Sequence, residues 1–195
     1  MGKKVLLITG TPCIGKTSVA HKLSQKLDAL YVNLTDLATT ENLTQGRDEE
    51  RNSTIVDVVK MKKRLNQIIR ETEKENIIID GHYAVHVVPP KLVTLVFVLR
   101  RDPIELKKFM VKSGYSEKKL RENLASEILD VCLVETLNKV GSQKVCELNI
   151  TGQTIKKTAD QILSLIERPC NCVVGIVDWL GKLEVEGLLD EYLKI

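Results

Sequence analysis

The chain has 195 residues, of which 43% are apolar and 28% charged, the size and balance of one globular domain with a full core. A formal charge of +3 and scattered lysine pairs (Lys3-Lys4, Lys62-Lys63, Lys107-Lys108, Lys118-Lys119, Lys156-Lys157) read as solvated faces, so direct nucleic-acid binding is not indicated. No run of about 18 apolar residues suggests a membrane span, and the apolar part of the opening MGKKVLLITG is too short for a secretory signal.

Val5 to Ile8 is a continuous apolar run, the mark of a buried parallel strand. It leads into Gly10, four residues, then Gly15-Lys16-Thr17, the phosphate-binding pattern G-x-x-x-x-G-K-[ST]. Such a loop wraps phosphates with its own N–H groups, and the helix that follows aims its positive dipole end at the anion. Lys16 is expected to reach the β- and γ-phosphates, and the Thr17 hydroxyl to ligate Mg²⁺. A helix is expected over Lys16 to Leu27, with Val19, Ala20, Leu23 and Leu27 on one face.

Leu30 to Leu34 reads as a second strand, with Asn33 and Asp36 at its carboxyl end. Open α/β sheets bind ligands there, so both are candidate substrate contacts; capping of a helix by Thr35 or Asp36 is the alternative. The polar stretch Thr39 to Asn52, with the acidic cluster Asp48, Glu49 and Glu50, reads as a loop or flap. Ser53 is placed to cap a long helix to about Glu75.

Asn76 to Gly81 (NIIIDG) is a buried strand with the carboxylate of Asp80 at its tip, the pattern that orders Mg²⁺ beside a phosphate loop. His82 follows two residues later, at the rim of the expected site, with structural and catalytic roles both open. Leu92 to Leu99 is the clearest strand, ending at Arg100-Arg101-Asp102-Pro103, where Asp102 caps a helix to about Lys112. Ser116 is expected to cap one helix from Glu117 to Val140, with Asn123, Glu127, Asp130 and Glu135 on its polar face. Lys144 to Ile150 is the last core strand, and Thr154 to Glu167 the last helix of the body. Five strands alternating with helices predict an α/β fold: a five-stranded parallel sheet with helices on both faces. Beyond Arg168, Val173 to Trp179 reads as a strand or apolar segment and Val185 to Leu193 as helical. This tail either packs on the body or offers a partner surface.

Cys13, Cys132, Cys146, Cys170 and Cys172 are odd in number and irregular in spacing, which fits reduced thiols in the cytoplasm. Cys170-Asn171-Cys172 has no second Cys or His pair beside it, which argues against zinc. A switch GTPase needs Asn-Lys-x-Asp after the fourth strand, and Arg100-Arg101-Asp102-Pro103 stands there instead. Phosphoryl transfer to a small acceptor and coupled NTP hydrolysis remain. Residues 33–57 would be the acceptor side and the lysine-rich segment around 107–121 a lid.

The runs GTPCIGKTS, YVNLTDLA, GRDEE, IIIDGHY, VFVLRRD and SGYSEKKLRENLASEI, within residues 4–167, resemble the adenylate kinase isoenzyme 6 family. The resemblance implies a P-loop NTPase of the nucleoside monophosphate kinase type over residues 1–168, with a lid near 112–122 and an extension over 169–195. It implies Mg-ATP-dependent phosphorylation of AMP, or a slow ATPase, and binding to a platform protein of the small ribosomal subunit during its maturation. ATP contacts would come from Thr11, Cys13, Gly15, Lys16, Thr17, Ser18, Lys112 and Gln153, and the metal site from Thr17 and Asp80. Lys16, Asp80 and His82 would serve catalysis, Asp80 and His82 matching the family's Asp-x-His motif, while Asn33 and Asp36 would contact the acceptor. Cys13 stands at a family glycine, and Ser113 and Phe109 stand where lid arginines are usual. Lys108, Lys112 or Arg100 would have to replace that guanidinium clamp. The tail after about residue 168 has no counterpart in the family pattern. A kinase of another small metabolite is the alternative outside this family.

Overall fold

The computed structural model describes residues 2–48 and 53–193. In chain order its first half runs β1 (Lys4–Thr9), α1 (Lys16–Leu27), β2 (Leu30–Asn33), α2 (Leu34–Thr40), β3 (Thr44–Asp48), β4 (Ser53–Val56), α3 (Val58–Glu71) and β5 (Asn76–Asp80). The second half runs α4 (Ala84–Val87), β6 (Val93–Arg100), α5 (Pro103–Lys112), α6 (Glu117–Ile128), α7 (Val131–Val140), β7 (Val145–Asn149), α8 (Ile155–Glu167), α9 (Trp179–Val185) and α10 (Leu189–Tyr192).

The expected five strands form one parallel sheet in the order β2-β5-β1-β6-β7. Successive strand residues point to opposite faces, and both faces are covered. Leu6, Ile8, Ile78, Phe97 and Leu99 pack with residues of α1, α5, α6 and α8. Val5, Leu7, Ile77, Ile79 and Val98 pack with residues of α2, α3, α4 and α7. Burying each large side chain contributes about 1.5–3 kcal/mol, which is why these runs are continuously apolar rather than alternating. The register pairs Asp80 with both Ile8 and Asn33, so the tips of β1, β2 and β5 end together.

The structure departs from the sequence reading in four places. Ser53 does not cap a helix. It pairs with Asp48 in the antiparallel β3–β4 hairpin, where the β-branched Thr54, Ile55 and Val56 favour strand. Asp57 is the cap of α3, accepting from the N–H groups of Val59 and Lys60. Glu49 and Glu50 of the expected acidic cluster lie outside the described residues. The single helix expected from Glu117 is two, because Asp130 takes a left-handed φ of 57° between α6 and α7.

The cysteines are the third difference. Cys146 on β7 and Cys172 form a disulfide, while Cys13, Cys132 and Cys170 are free. Fourth, Val173 to Trp179 forms no strand of the sheet. One bond, from Glu147 N–H to the Val173 carbonyl (2.9 Å), lays it along the edge strand β7, and Trp179 opens α9 rather than preceding a helix at Val185. Trp179, Leu183 and Tyr192 are buried in the same core as Leu6 and Ile8.

Candidate active site

The loop between β1 and α1 has the backbone its glycines predict. Gly10 has φ 134°, and a Cβ there would meet the Leu99 carbonyl oxygen at 2.5 Å, so only glycine lets the loop cross β6. Gly15, at the start of α1, has φ 109°. Cys13 takes φ 68°, a left-handed conformation that costs a side-chain-bearing residue about 1–2 kcal/mol. The Lys16 ammonium donates to the Thr11 carbonyl at 2.9 Å. Burial pushes its pKa below the ordinary lysine value, and the Asp80 and Glu127 carboxylates counter part of that.

At the strand tips, Asp80 Oδ2 accepts from Thr17 Oγ1 (2.7 Å), Asn33 Nδ2 (2.9 Å) and Tyr31 OH (3.2 Å). Asn33 also caps α2 through Oδ1, which accepts from the N–H groups of Thr35 and Asp36. The cap of α2 is thus Asn33 rather than Thr35 or Asp36. A hydroxyl and a carboxylate within 2.7 Å are hard oxygen donors, the set that suits Mg²⁺, which takes few protein ligands and leaves room for phosphate and water. No cluster of three or more His, Cys, Asp or Glu residues suited to a metal occurs among the described residues.

Two cavities open beside the loop. One, of about 670 Å³, is lined by Cys13, Ile14, Gly15, Ser18, Arg101, Phe109, Ser113, Ile150 and Gln153 among others. Gln153 Nε2 donates to the Asn149 carbonyl (2.8 Å), and its buried Oε1 has no protein partner. The second, of about 580 Å³, is lined by Thr17, Ser18, His21, Lys22, Tyr31, Asp36 and Ile155. Ser18 and Ile155 border both. His82 is exposed to solvent, but crowding around its ring and the charge of Lys16 lower its pKa to about 4. The ring is thus neutral at pH 7, packed edge-on against Tyr83 with centroids 5.0 Å apart. The His82 carbonyl accepts from Thr9 Oγ1 at 3.2 Å, fixing the turn after β5 to the end of β1.

The lid side differs from expectation. Arg100 cannot act as the clamp. It is 1% exposed and bonded to Glu127, Asp130 and Glu147. Burial opposes its charge, but Glu127 and Asp130 outweigh that and raise its pKa above the ordinary value. Lys108 and Lys112 line another cavity, of about 440 Å³, with Lys107 and Tyr192, so the structure does not bring Lys112 to the others. The guanidinium in the nucleotide-sized cavity is Arg101, which the sequence reading missed. Its Nε donates to the Ile14 carbonyl at 3.1 Å, and it lies 4.9 Å from the Phe109 ring centroid. Its place at a strand tip was the available signal. Ser113 approaches the loop, its Oγ 3.6 Å from Cys13 Sγ.

The parallel sheet, phosphate loop and strand-tip carboxylate define a P-loop kinase fold of the nucleoside monophosphate kinase type. A family model described as an AAA domain matches residues 6–130. A Pyrococcus furiosus protein named "putative adenylate kinase" is 35% identical over 180 residues, 92% of this chain and 93% of its own length. One of the same name from Methanocaldococcus jannaschii is 33% identical over 177 residues, 91% and 93% of the two chains. This chain belongs to the family that those relatives form. A match over 92% of the chain necessarily runs past residue 168, so part of the tail has a counterpart in relatives, contrary to the expectation that it had none. Among solved structures, thymidylate kinase from Candida albicans has a TM-score of 0.57 at 19% identity, covering 87% of this chain and 93% of that one. A gluconokinase from Sinorhizobium meliloti has a TM-score of 0.53 at 12% identity, covering 85% and 92%. These two likenesses concern the fold. Among the described residues, no helix is long and apolar enough to cross a membrane.

Proposed function

We propose that this protein is a Mg-ATP-dependent nucleoside monophosphate kinase, with AMP as first acceptor, that also hydrolyses ATP slowly. The observation that carries this is the pair of cavities adjoining at Ser18, with Thr17, bonded to Asp80, lining the second of them. The larger accepts the base and ribose of ATP, with Arg101, Phe109 and Gln153 as walls. The second accepts the monophosphate, with Tyr31 and Asp36 as polar contacts and Asn33 holding Asp80 in place.

In this reading the loop N–H groups from Thr11 to Ser18 hold the phosphate chain, and Lys16 exchanges the Thr11 carbonyl for phosphate oxygens. Thr17 and Asp80 would hold Mg²⁺, which when bound draws charge from the transferring phosphoryl group. Neutral His82 positions water for hydrolysis. Lys112 joins the site only if the lid closes over it. Ser113 and Phe109 in place of the usual lid arginines, with Arg121 paired to Glu117, favour slow turnover. The motif runs add a role in small-subunit ribosome maturation with a platform protein, and the free Cys13, Cys132 and Cys170 a cytoplasmic setting. The support for the ribosomal role is the resemblance, and a nucleotide-dependent pull-down tests it.

The test is ADP formation from Mg-ATP with and without AMP. An AMP-dependent rise that Lys16→Ala abolishes is expected. A rate indifferent to AMP makes the protein a hydrolase, and acceptance of another small metabolite with AMP inert makes it a different kinase.

A further inference from the structure

The buried carboxylate of Glu127 links two regions far apart in sequence. It is 1% exposed. Its Oε2 accepts from the Thr11 hydroxyl of the phosphate loop at 2.5 Å. Its Oε1 accepts from Trp179 Nε1 (3.1 Å), Arg100 Nε (2.9 Å) and the Arg101 N–H (3.1 Å). Thr11 is wholly buried, and its carbonyl receives the Lys16 ammonium. Hydrogen bonds thus run from the C-terminal segment through Glu127 to the Thr11 side chain, and the backbone carbonyl of the same residue holds Lys16.

The tail end of that path is fixed at several points. Glu147 Oε2 accepts from the N–H groups of Gly175 (2.6 Å) and Ile176 (2.9 Å), and Cys172 is bonded to Cys146. Lys182 pairs with Asp102 at the start of α5. Trp179 itself is 6% exposed, with Lys182 Nζ 5.9 Å from its ring centroid. A buried carboxylate that loses one donor is held less firmly: without Trp179, Oε1 keeps only Arg100 Nε and the Arg101 N–H, while Oε2 of the same group is the acceptor for the Thr11 hydroxyl.

We infer that the C-terminal segment is a positioning element of the nucleotide site, with Trp179 orienting Glu127 and Glu127 holding Thr11 where the loop can cradle phosphate. This rests on the ATP-binding reading above. It makes Trp179 and Glu127 positioning residues, since neither lines the nucleotide-sized cavity.

The chain has one tryptophan, so the unaltered protein carries its own probe. Titration with Mg-ATP is expected to change Trp179 emission, and Thr11→Val, which keeps the volume and removes the hydroxyl, is expected to abolish that change. Thr11→Ser restores it. In parallel, binding of a fluorescently labelled ATP is measured in Trp179→Phe, Thr11→Val and the double variant. Each single change is expected to weaken binding several-fold at a temperature where every variant is folded, and the double change no further than the weaker single, because both cut one path. Independent effects that multiply, or Trp179→Phe binding that matches the unaltered protein, overturn the inference while leaving the ATP site intact. If the unaltered protein does not bind labelled ATP, both readings fall. If Trp179→Phe does not fold, the emission titration with Thr11→Val and Thr11→Ser still decides: a change that persists without the hydroxyl is the overturning result.

Discussion

Asn33 and Asp80 show how much a single residue can carry. Asn33 spends its carbonyl oxygen on the first turn of α2 and its amide on Asp80. Its sequence neighbours point to a substrate contact, with the cap at Thr35 or Asp36, and give no sign of the bond to Asp80. His82 is the residue whose chemistry is most open to measurement. A histidine with its folded pKa lowered binds its proton less readily than in the unfolded chain. Its contribution therefore favours unfolding as pH falls from about 6.5 towards about 4, and is without effect above that window. Hydrolysis is expected to be flat with respect to this group at neutral pH and to decline on an acid limb centred well below 6.5. His82→Ala is expected to lower hydrolysis at neutral pH and to leave ATP affinity unchanged. Equal loss of both would sink the water-positioning role.

Among the elements, α5 shows a cap with two functions. Asp102 Oδ1 accepts from the N–H groups of Ile104 (2.8 Å) and Glu105 (3.3 Å), while Oδ2 pairs with Lys182 of the tail. Asp102→Ala removes cap and pair together, and loss of the cap is expected to cost about 1 kcal/mol. Asp102→Asn keeps an acceptor for the helix and loses the charge, so it should cost less. Thermal melts in which Asp102→Asn costs as much as Asp102→Ala would show that the ion pair outweighs the cap. The break between α6 and α7 is the element the periodicity hid. Glu127 faces inward and Asp130 reaches Arg100, so one carboxylate of a face that reads as polar is buried against a buried guanidinium.

At the scale of the molecule, the tail closes what the sheet leaves open. β7 is an edge strand, and exposed edges invite pairing with other chains; residues 172–176 lie along it. Leu183 is completely buried, with Trp179 and Tyr192 nearly so. Together they contribute roughly 5 kcal/mol or more, comparable with the net stability of many domains. A chain ending at Arg168 is expected to lose cooperative thermal unfolding. A sharp transition near that of the full chain would show that the tail is an independent appendage.

The local features were legible in the sequence because each rests on neighbours along the chain. The phosphate loop needs Gly10, Gly15, Lys16 and Thr17 at fixed spacing, and α1, the Asp102 cap and the five apolar strands follow from period and turn chemistry. What the sequence by itself determined was thus the sheet, the loop and the carboxylate at the tip of β5. Contacts across large separations were decided only by the tertiary structure. These are the inward turn of Glu127, the division of labour between the buried Arg100 and the cavity-lining Arg101, the Cys146–Cys172 pair and the docking of Trp179. The physical reason is that a charged side chain has no periodic signal of burial. Whether it meets water, a carboxylate or a ligand depends on which distant segment folds against it.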